Sequence, residues 1–224
     1  MAILIGPQIR SYLKQKQKET KMAALRLIVC VVLLSLVISQ STSYPVGSLF
    51  GCFGSPQTVN DLDVPAYLGR WYQVYTDLVV NVTFERNAQC VTADYGLNPD
   101  GSISVFNANT VGTPDGRFNT ISGKATVPDA SEPGQLVVEF PGVPAPGEYW
   151  VLKLGPIVDG KYQYAVVSDS RKVTLFVLAR DAAAFMGSDD RTEVLEFLRD
   201  TGFSCFWNKP QETYQSDQCK YVQP

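Results

Sequence analysis

From Leu68 to Arg180 apolar and polar residues alternate in short runs, the period-two mark of strands with one buried face. The first run opens around Tyr72, Val74 and Tyr75. Others follow at Cys90–Leu97, Ser102–Phe106, Arg117–Val127, Gln135–Phe140, Tyr149–Leu154, Tyr162–Val167 and Val173–Leu178. Turn-forming clusters separate them, among them Asn98-Pro99-Asp100-Gly101, Thr113-Pro114-Asp115-Gly116 and Val158-Asp159-Gly160. Asp-Gly pairs favour tight hairpins. Eight short strands with no helical period between them predict an all-β domain, either a sandwich or an eight-stranded antiparallel up-and-down barrel.

One helical pattern stands apart. Ser188 is a candidate N-cap, Asp189 and Asp190 fall where a helix N-terminus favours anions, and Val194, Leu195 and Leu198 form one apolar stripe. Arg199 sits in the expected last turn and Gly202 just past it. This pattern predicts a single C-terminal α-helix packed on the outside of the sheet.

Residues 1–43 follow a different rule. Arg10, Lys14, Lys16, Lys18, Lys21 and Arg26 precede an apolar run from Leu27 to Ile38, and small residues at Ser39, Ser41 and Ser43 follow. A basic head, a short apolar run and a small-residue exit predict a secretory signal peptide, with Met22 as a second candidate initiator. The apolar run falls short of the ~20 residues a spanning helix needs, so stable membrane insertion is not expected. The predicted organisation is a leader over 1–43 and one domain over 44–224, secreted to the extracellular space.

Taking the leader's six Lys/Arg and one Glu from totals of 19 and 22 leaves 13 basic and 21 acidic side chains, a net charge near −8. A chain so acidic lacks the footprint for nucleic acid or anionic surfaces. The sequence also has no histidine, which removes Ser-His-Asp and Cys-His nucleophile pairs, His-ligated zinc and proximal-His haem. No catalytic residue, metal site or cofactor is expected. Cys30 belongs to the leader; Cys52, Cys90, Cys205 and Cys219 remain, an even set that predicts two disulfides with three pairings open. Asn81-Val82-Thr83 is a glycosylation sequon with Asn81 as acceptor.

Gly69-Arg70-Trp71-Tyr72 follows the stretch Asp61-Leu62-Asp63-Val64-Pro65-Ala66-Tyr67-Leu68, and the whole resembles the strand-A signature of the lipocalins, in particular the apolipoprotein D group. Cys90–Tyr95 resembles that group's strand B, Tyr149–Leu152 its strand F, and Leu178-Ala179-Arg180 its strand H. The middle signature is replaced by Gly155–Gly160, a lengthened turn at the closed end. The resemblance selects the barrel and implies a floor made by Trp71, with Arg180 across its ring, beside Gly69. It implies a Cys90–Cys219 bridge and leaves Cys52 for Cys205. It places Tyr95 and Phe176 in a ligand pocket. Strand parity then adds Ala93 beside Tyr95, Leu178 beside Phe176, and Gln73 and Tyr75 above Trp71.

The implied function is binding and transport of one small hydrophobic ligand: a lipid, fatty acid, steroid, retinoid, carotenoid or bilin. Arg70, Arg86, Arg117 and Lys124 are cations that either meet a ligand carboxylate at the rim or are solvated surface. Two alternatives differ in class: a lipocalin-fold enzyme acting on a lipid, whose isomerase type needs a free thiol inside the barrel, and an interaction protein with a side-chain-filled barrel. A cell-surface receptor and a monomeric or weakly dimeric state are compatible with the chain.

Overall fold

Asp63 accepts the Ala66 N–H through Oδ1 at 3.3 Å and Pro65 stands in the first turn, so a one-turn helix α1 (Val64–Tyr67) forms and hands the chain to β1 (Gly69–Thr76). In the computed structural model the described residues are 51–224, and all belong to one compact unit. The leader over 1–43, with Met22 and Cys30, lies outside the described residues.

After β1 come α2 (Leu78–Thr83), β2 (Ala88–Leu97), β3 (Ile103–Val111), β4 (Arg117–Thr126), β5 (Gln135–Glu139) and β6 (Gly147–Leu154). The small hairpin β7 (Ile157–Val158) and β8 (Lys161–Tyr162) fills the lengthened turn, with Asp159 and Gly160 both at positive φ (51° and 73°) as a two-residue primed turn demands. Strands β9 (Tyr164–Ser168) and β10 (Leu175–Ala179), helices α3 (Ala182–Met186) and α4 (Asp189–Asp200), and β11 (Gln211–Glu212) complete the chain. Strands β1 to β6, β9 and β10 pair in that order, all antiparallel. β10 returns to β1, with Tyr72 opposite Ala179 and Gln73 opposite Leu178, so an eight-stranded sheet closes on itself. Closure removes the free edges that an open sheet would expose.

Two apolar clusters lie on the two faces of this wall. The inner one gathers Trp71, Ala93, Tyr95, Val105, Leu136, Val167 and Leu178. The outer one packs Val74, Val166, Val177 and Ala179 under Val194 and Leu198 of α4 and Phe185 of α3. Helix α4 therefore lies outside the barrel, as its stripe predicts. Ser188 occupies the N-cap position, but its hydroxyl donates to Phe185 O and accepts no helix N–H, and Asp189 and Asp190 meet the dipole instead.

The closed end is a single electrostatic knot. Arg180 Cζ lies 3.6 Å from the centroid of the fully buried Trp71 ring. Its guanidinium donates to five carbonyls: Tyr162 through Nε (3.1 Å), Arg70 through Nη1 (2.7 Å), and Ala66, Tyr67 and Leu68 through Nη2 (3.0 Å each). Trp71 Nε1 donates to Tyr67 O at 2.8 Å. Gly69 sits at φ +101°, a backbone conformation that side-chain-bearing residues rarely adopt, so the turn into β1 calls for glycine.

Toward the opposite end the wall is completed by a different device. β1 and β2 pair only from Gly69–Tyr72, and above that point the C-terminal segment enters between them. β11 pairs with Tyr75 and Thr76, Thr213 N donates to Val74 O, and Cys90 N donates to Tyr214 O. Gln215 Nε2 donates to both Gln73 O (3.0 Å) and Val91 O (2.8 Å). The Cys90–Cys219 disulfide holds this segment, while Cys52–Cys205 ties the start of the described chain to the turn beyond α4.

Replacing Arg180 by Ala removes a donor from five carbonyls, of which Tyr67 O keeps the Trp71 indole N–H, and we expect a loss of roughly 3–5 kcal/mol of unfolding free energy in urea titrations. Arg180→Lys should recover less than half of it, because an ammonium cannot span the same fork of acceptors. Equal stability of Arg180→Ala and the parent chain would contradict the floor's role.

Candidate ligand site inside the barrel

Direct strand partners share a face, so register identifies the inner wall residue by residue. Trp71 faces Ala93, Gly69 faces Tyr95, and Gln73 faces Leu178. Continuing around the wall, Tyr95 stands opposite Val105, Ala93 opposite Asn107, and Asn107 opposite Ile121. Phe176 stands opposite Val167 and packs against the inner cluster. Tyr95, Ala93, Leu178 and Phe176 thus share one interior with Trp71, Tyr95 lying level with Gly69 at the closed end and Ala93 level with Trp71.

Tyr75 does not join them. A β-bulge between Gln73 and Tyr75 inserts an extra residue, so Val74 and Tyr75 both point to the outer cluster. The Tyr75 hydroxyl accepts from Arg191 Nε at 2.6 Å on α4 and donates to Glu212 at 3.4 Å. Parity counted from Trp71 is correct up to Gln73 and inverted after it. Gln73 itself is engaged, its Nε2 donating to Glu85 Oε2 (2.6 Å) and Thr213 Oγ1 (3.0 Å). Arg70 lies at the closed end in a bidentate pair with Asp94 (2.9 and 2.7 Å) and Lys124 pairs with Glu139 across exposed strands, so neither is a free rim cation. Asn81, the sequon residue, lies on α2 with Nδ2 donating to Gln211.

Residues absent from the sequence-based pocket give it its polar character. Tyr67, from α1, and Tyr149, from β6, meet Tyr95 in a chain of hydroxyls: Tyr67 to Tyr149 at 2.7 Å and Tyr149 to Tyr95 at 3.0 Å. The Tyr67 and Tyr95 rings stack at 5.7 Å, and Tyr67 lies 5.2 Å from Trp71. Burial pushes all three phenols up, Tyr95 to about 12, so they remain protonated donors at neutral pH. Tyr67 precedes the first strand, where parity has no reach. Tyr149 is placed only by its pairing with Leu136, which no single run reveals.

Higher on the wall the inner face turns polar and accessible. Asn109 and Asn119 pair across β3 and β4 through a 3.3 Å side-chain hydrogen bond. Ile121, although inward-facing, keeps 39% of its surface accessible. Phe176, Tyr149 and Val138 are also only partly buried. Inward residues with accessible surface mark a hollow interior, since packed cores leave almost none.

The connection from β1 to β2 carries two acids, Asp77 fully buried and Glu85 partly so. Asp77 caps α2, Oδ1 accepting from Val80 N at 2.8 Å, and Oδ2 has no hydrogen-bond partner. Burial drives the Asp77 carboxyl up to about 7, with the nearby Asp169 charge adding to it. Glu85 is also raised to about 7, by burial first and then by Asp77.

The closed eight-stranded wall, the hollow interior and the Trp–Arg floor define a calyx protein, and comparison with known sequences agrees. Residues 62–209 match the family model of the lipocalin-like domain, and the chain belongs to the lipocalins. It is 33% identical to the outer membrane lipoprotein Blc of Vibrio cholerae over 185 residues, covering 81% of this chain and 94% of that protein. It is 38% identical to apolipoprotein D of Rattus norvegicus over 98 residues, 44% of this chain but only 49% of that protein. Among solved structures, the tryptamine complex of the amine-binding protein of Rhodnius prolixus matches with a TM-score of 0.52 at 16% identity, covering 75% of this chain and 91% of that one. At that identity the likeness concerns the fold.

Because the folded state raises both acids, it binds their protons more tightly than the unfolded chain does. Their contribution to stability is therefore complete below about pH 4 and is lost as pH rises toward about 7. Thermal melts of Asp77→Asn, which keeps an N-cap acceptor, should show a flatter decline over that window and a higher Tm at pH 8 than the parent. A parent Tm that rises across the window would refute the assignment.

Proposed function

We propose that the chain is a secreted carrier that holds one small hydrophobic molecule in the barrel. The observation that supports this best is the inner wall itself: Phe176, Tyr149, Val138 and Ile121 point inward yet remain accessible, so apolar surface awaits a partner that would remove it from water. The family and the tryptamine complex of the amine-binding protein of Rhodnius prolixus point the same way. Two disulfides suit an oxidising extracellular setting. Among the described residues no helix is long and apolar enough to cross a membrane.

Binding is favoured over catalysis by the cysteines. All four among the described residues are in disulfides, so an isomerase mechanism based on a free thiol has no nucleophile there. A filled barrel that works only through its surface is disfavoured by the accessible inner wall.

Native mass spectrometry and solvent extraction of the protein from its source should recover one lipid or pigment per chain. Of the three tryptophans, Trp71 faces the interior, whereas Trp150 lies against the outer cluster and Trp207 stacks with Phe206. Ligand quenching of indole fluorescence should thus saturate at one per chain and largely vanish in Trp71→Phe while persisting in Trp207→Phe. No quenching by any apolar molecule tested, with nothing extracted, would sink the carrier reading.

A further inference from the structure

The tyrosine chain at the base of the interior does not balance its own hydrogen bonds. Tyr67, Tyr149 and Tyr95 bring three hydroxyl protons, and each hydroxyl–hydroxyl contact consumes one. Two contacts exist, and among the described residues none of the three hydroxyls has a further hydrogen-bond partner. Whichever way the protons are ordered, one O–H is left over at this site. Leaving a buried donor unmade costs about 1–3 kcal/mol, so the arrangement favours an incoming acceptor.

A second unpaired group stands on the same wall. Asn107 Oδ1 is buried without a partner, and Asn107 faces inward opposite Ala93 and Ile121. It lies two residues along β3 from Val105, the partner of Tyr95, so it sits one inward step, roughly 7 Å, above the tyrosines. The interior is thus apolar with two unmet polar positions at different depths.

Charge narrows the choice. The cation nearest the tyrosines is Arg180, which is spent on five carbonyls and the Trp71 ring. A carboxylate brought to the base would lose its hydration in exchange for a single donor, a poor trade for an ionised group. A neutral oxygen needs no more than one.

We propose that the ligand of this barrel is a neutral apolar molecule carrying a carbonyl or hydroxyl oxygen at its leading end, which accepts the surplus proton of the Tyr67–Tyr149–Tyr95 chain. This deepens the carrier reading and rests on it. The Asn107 carboxamide then meets any second polar group farther up the molecule.

The test measures the affinities of a long-chain methyl ketone, the alkane of the same length and the matching fatty acid, by displacement of an apolar dye, on the full chain. Removing all three hydroxyls (Tyr67→Phe, Tyr95→Phe, Tyr149→Phe) should lower ketone affinity relative to alkane about tenfold, because the ratio cancels changes in pocket shape and in the ligands' own hydration. Tyr95→Phe alone leaves two protons for one contact and should lower the ratio less. Should the triple variant not fold, the infrared carbonyl band of isotopically labelled ketone in the parent protein decides. It should lie at lower frequency than in dry alkane. An unchanged ratio in the triple variant, a band at the alkane-solvent position, or tighter binding of the ionised fatty acid than of the ketone overturns the proposal while leaving the carrier reading intact. Binding of none of the three overturns both.

Discussion

The guanidinium of Arg180 is the constraint on which the rest is hung. It joins β10 to the α1–β1 corner, to Tyr162 after the small hairpin, and to the Trp71 ring. Carbonyls at a barrel's closed end face away from the ladder, and burying five of them without a donor would cost far more than any one contact gains. Burial draws the Arg180 pKa down to about 10, still above neutrality, so the charge that organises these carbonyls persists. The same group fixes Tyr67 through its backbone carbonyl, and so positions the first of the three hydroxyls above it.

The wall and its floor were legible in the sequence because period-two runs, turn clusters and the spacing around Trp71 and Arg180 all concern local or signature-bearing residues. What escaped was set by pairing. Counting from Trp71 places Tyr75 inward, and the bulge at Val74 reverses it. A similar irregularity lies between Gln89 and Thr92, where Cys90 adopts φ +55°. Bulges leave no unambiguous mark on composition. Helix α2 gives no helical signal in the sequence because Leu-Val-Val-Asn-Val-Thr is rich in β-branched residues, yet Asp77 caps it. Tyr67, Tyr149 and Asn107 became visible only once cross-strand partners were known.

The interior combines two kinds of selectivity that act at different depths. Apolar walls attract nearly any greasy molecule of suitable size, with a strength that scales with the area covered. Unmet hydrogen-bonding groups discriminate among such molecules, because leaving them unpaired penalises the wrong ones. On the outer face the patch around Val74, Val166 and Val177 is already covered by α3 and α4, and Tyr75 is tied to Arg191.

The strip that separates β1 from β2 near the rim is made of residues 211–219, and the Cys90–Cys219 disulfide rivets its far end to the neighbouring stave across 129 positions of chain. The side of the vessel is thereby sensitive to redox conditions: a chain kept reduced holds that seam by hydrogen bonds alone.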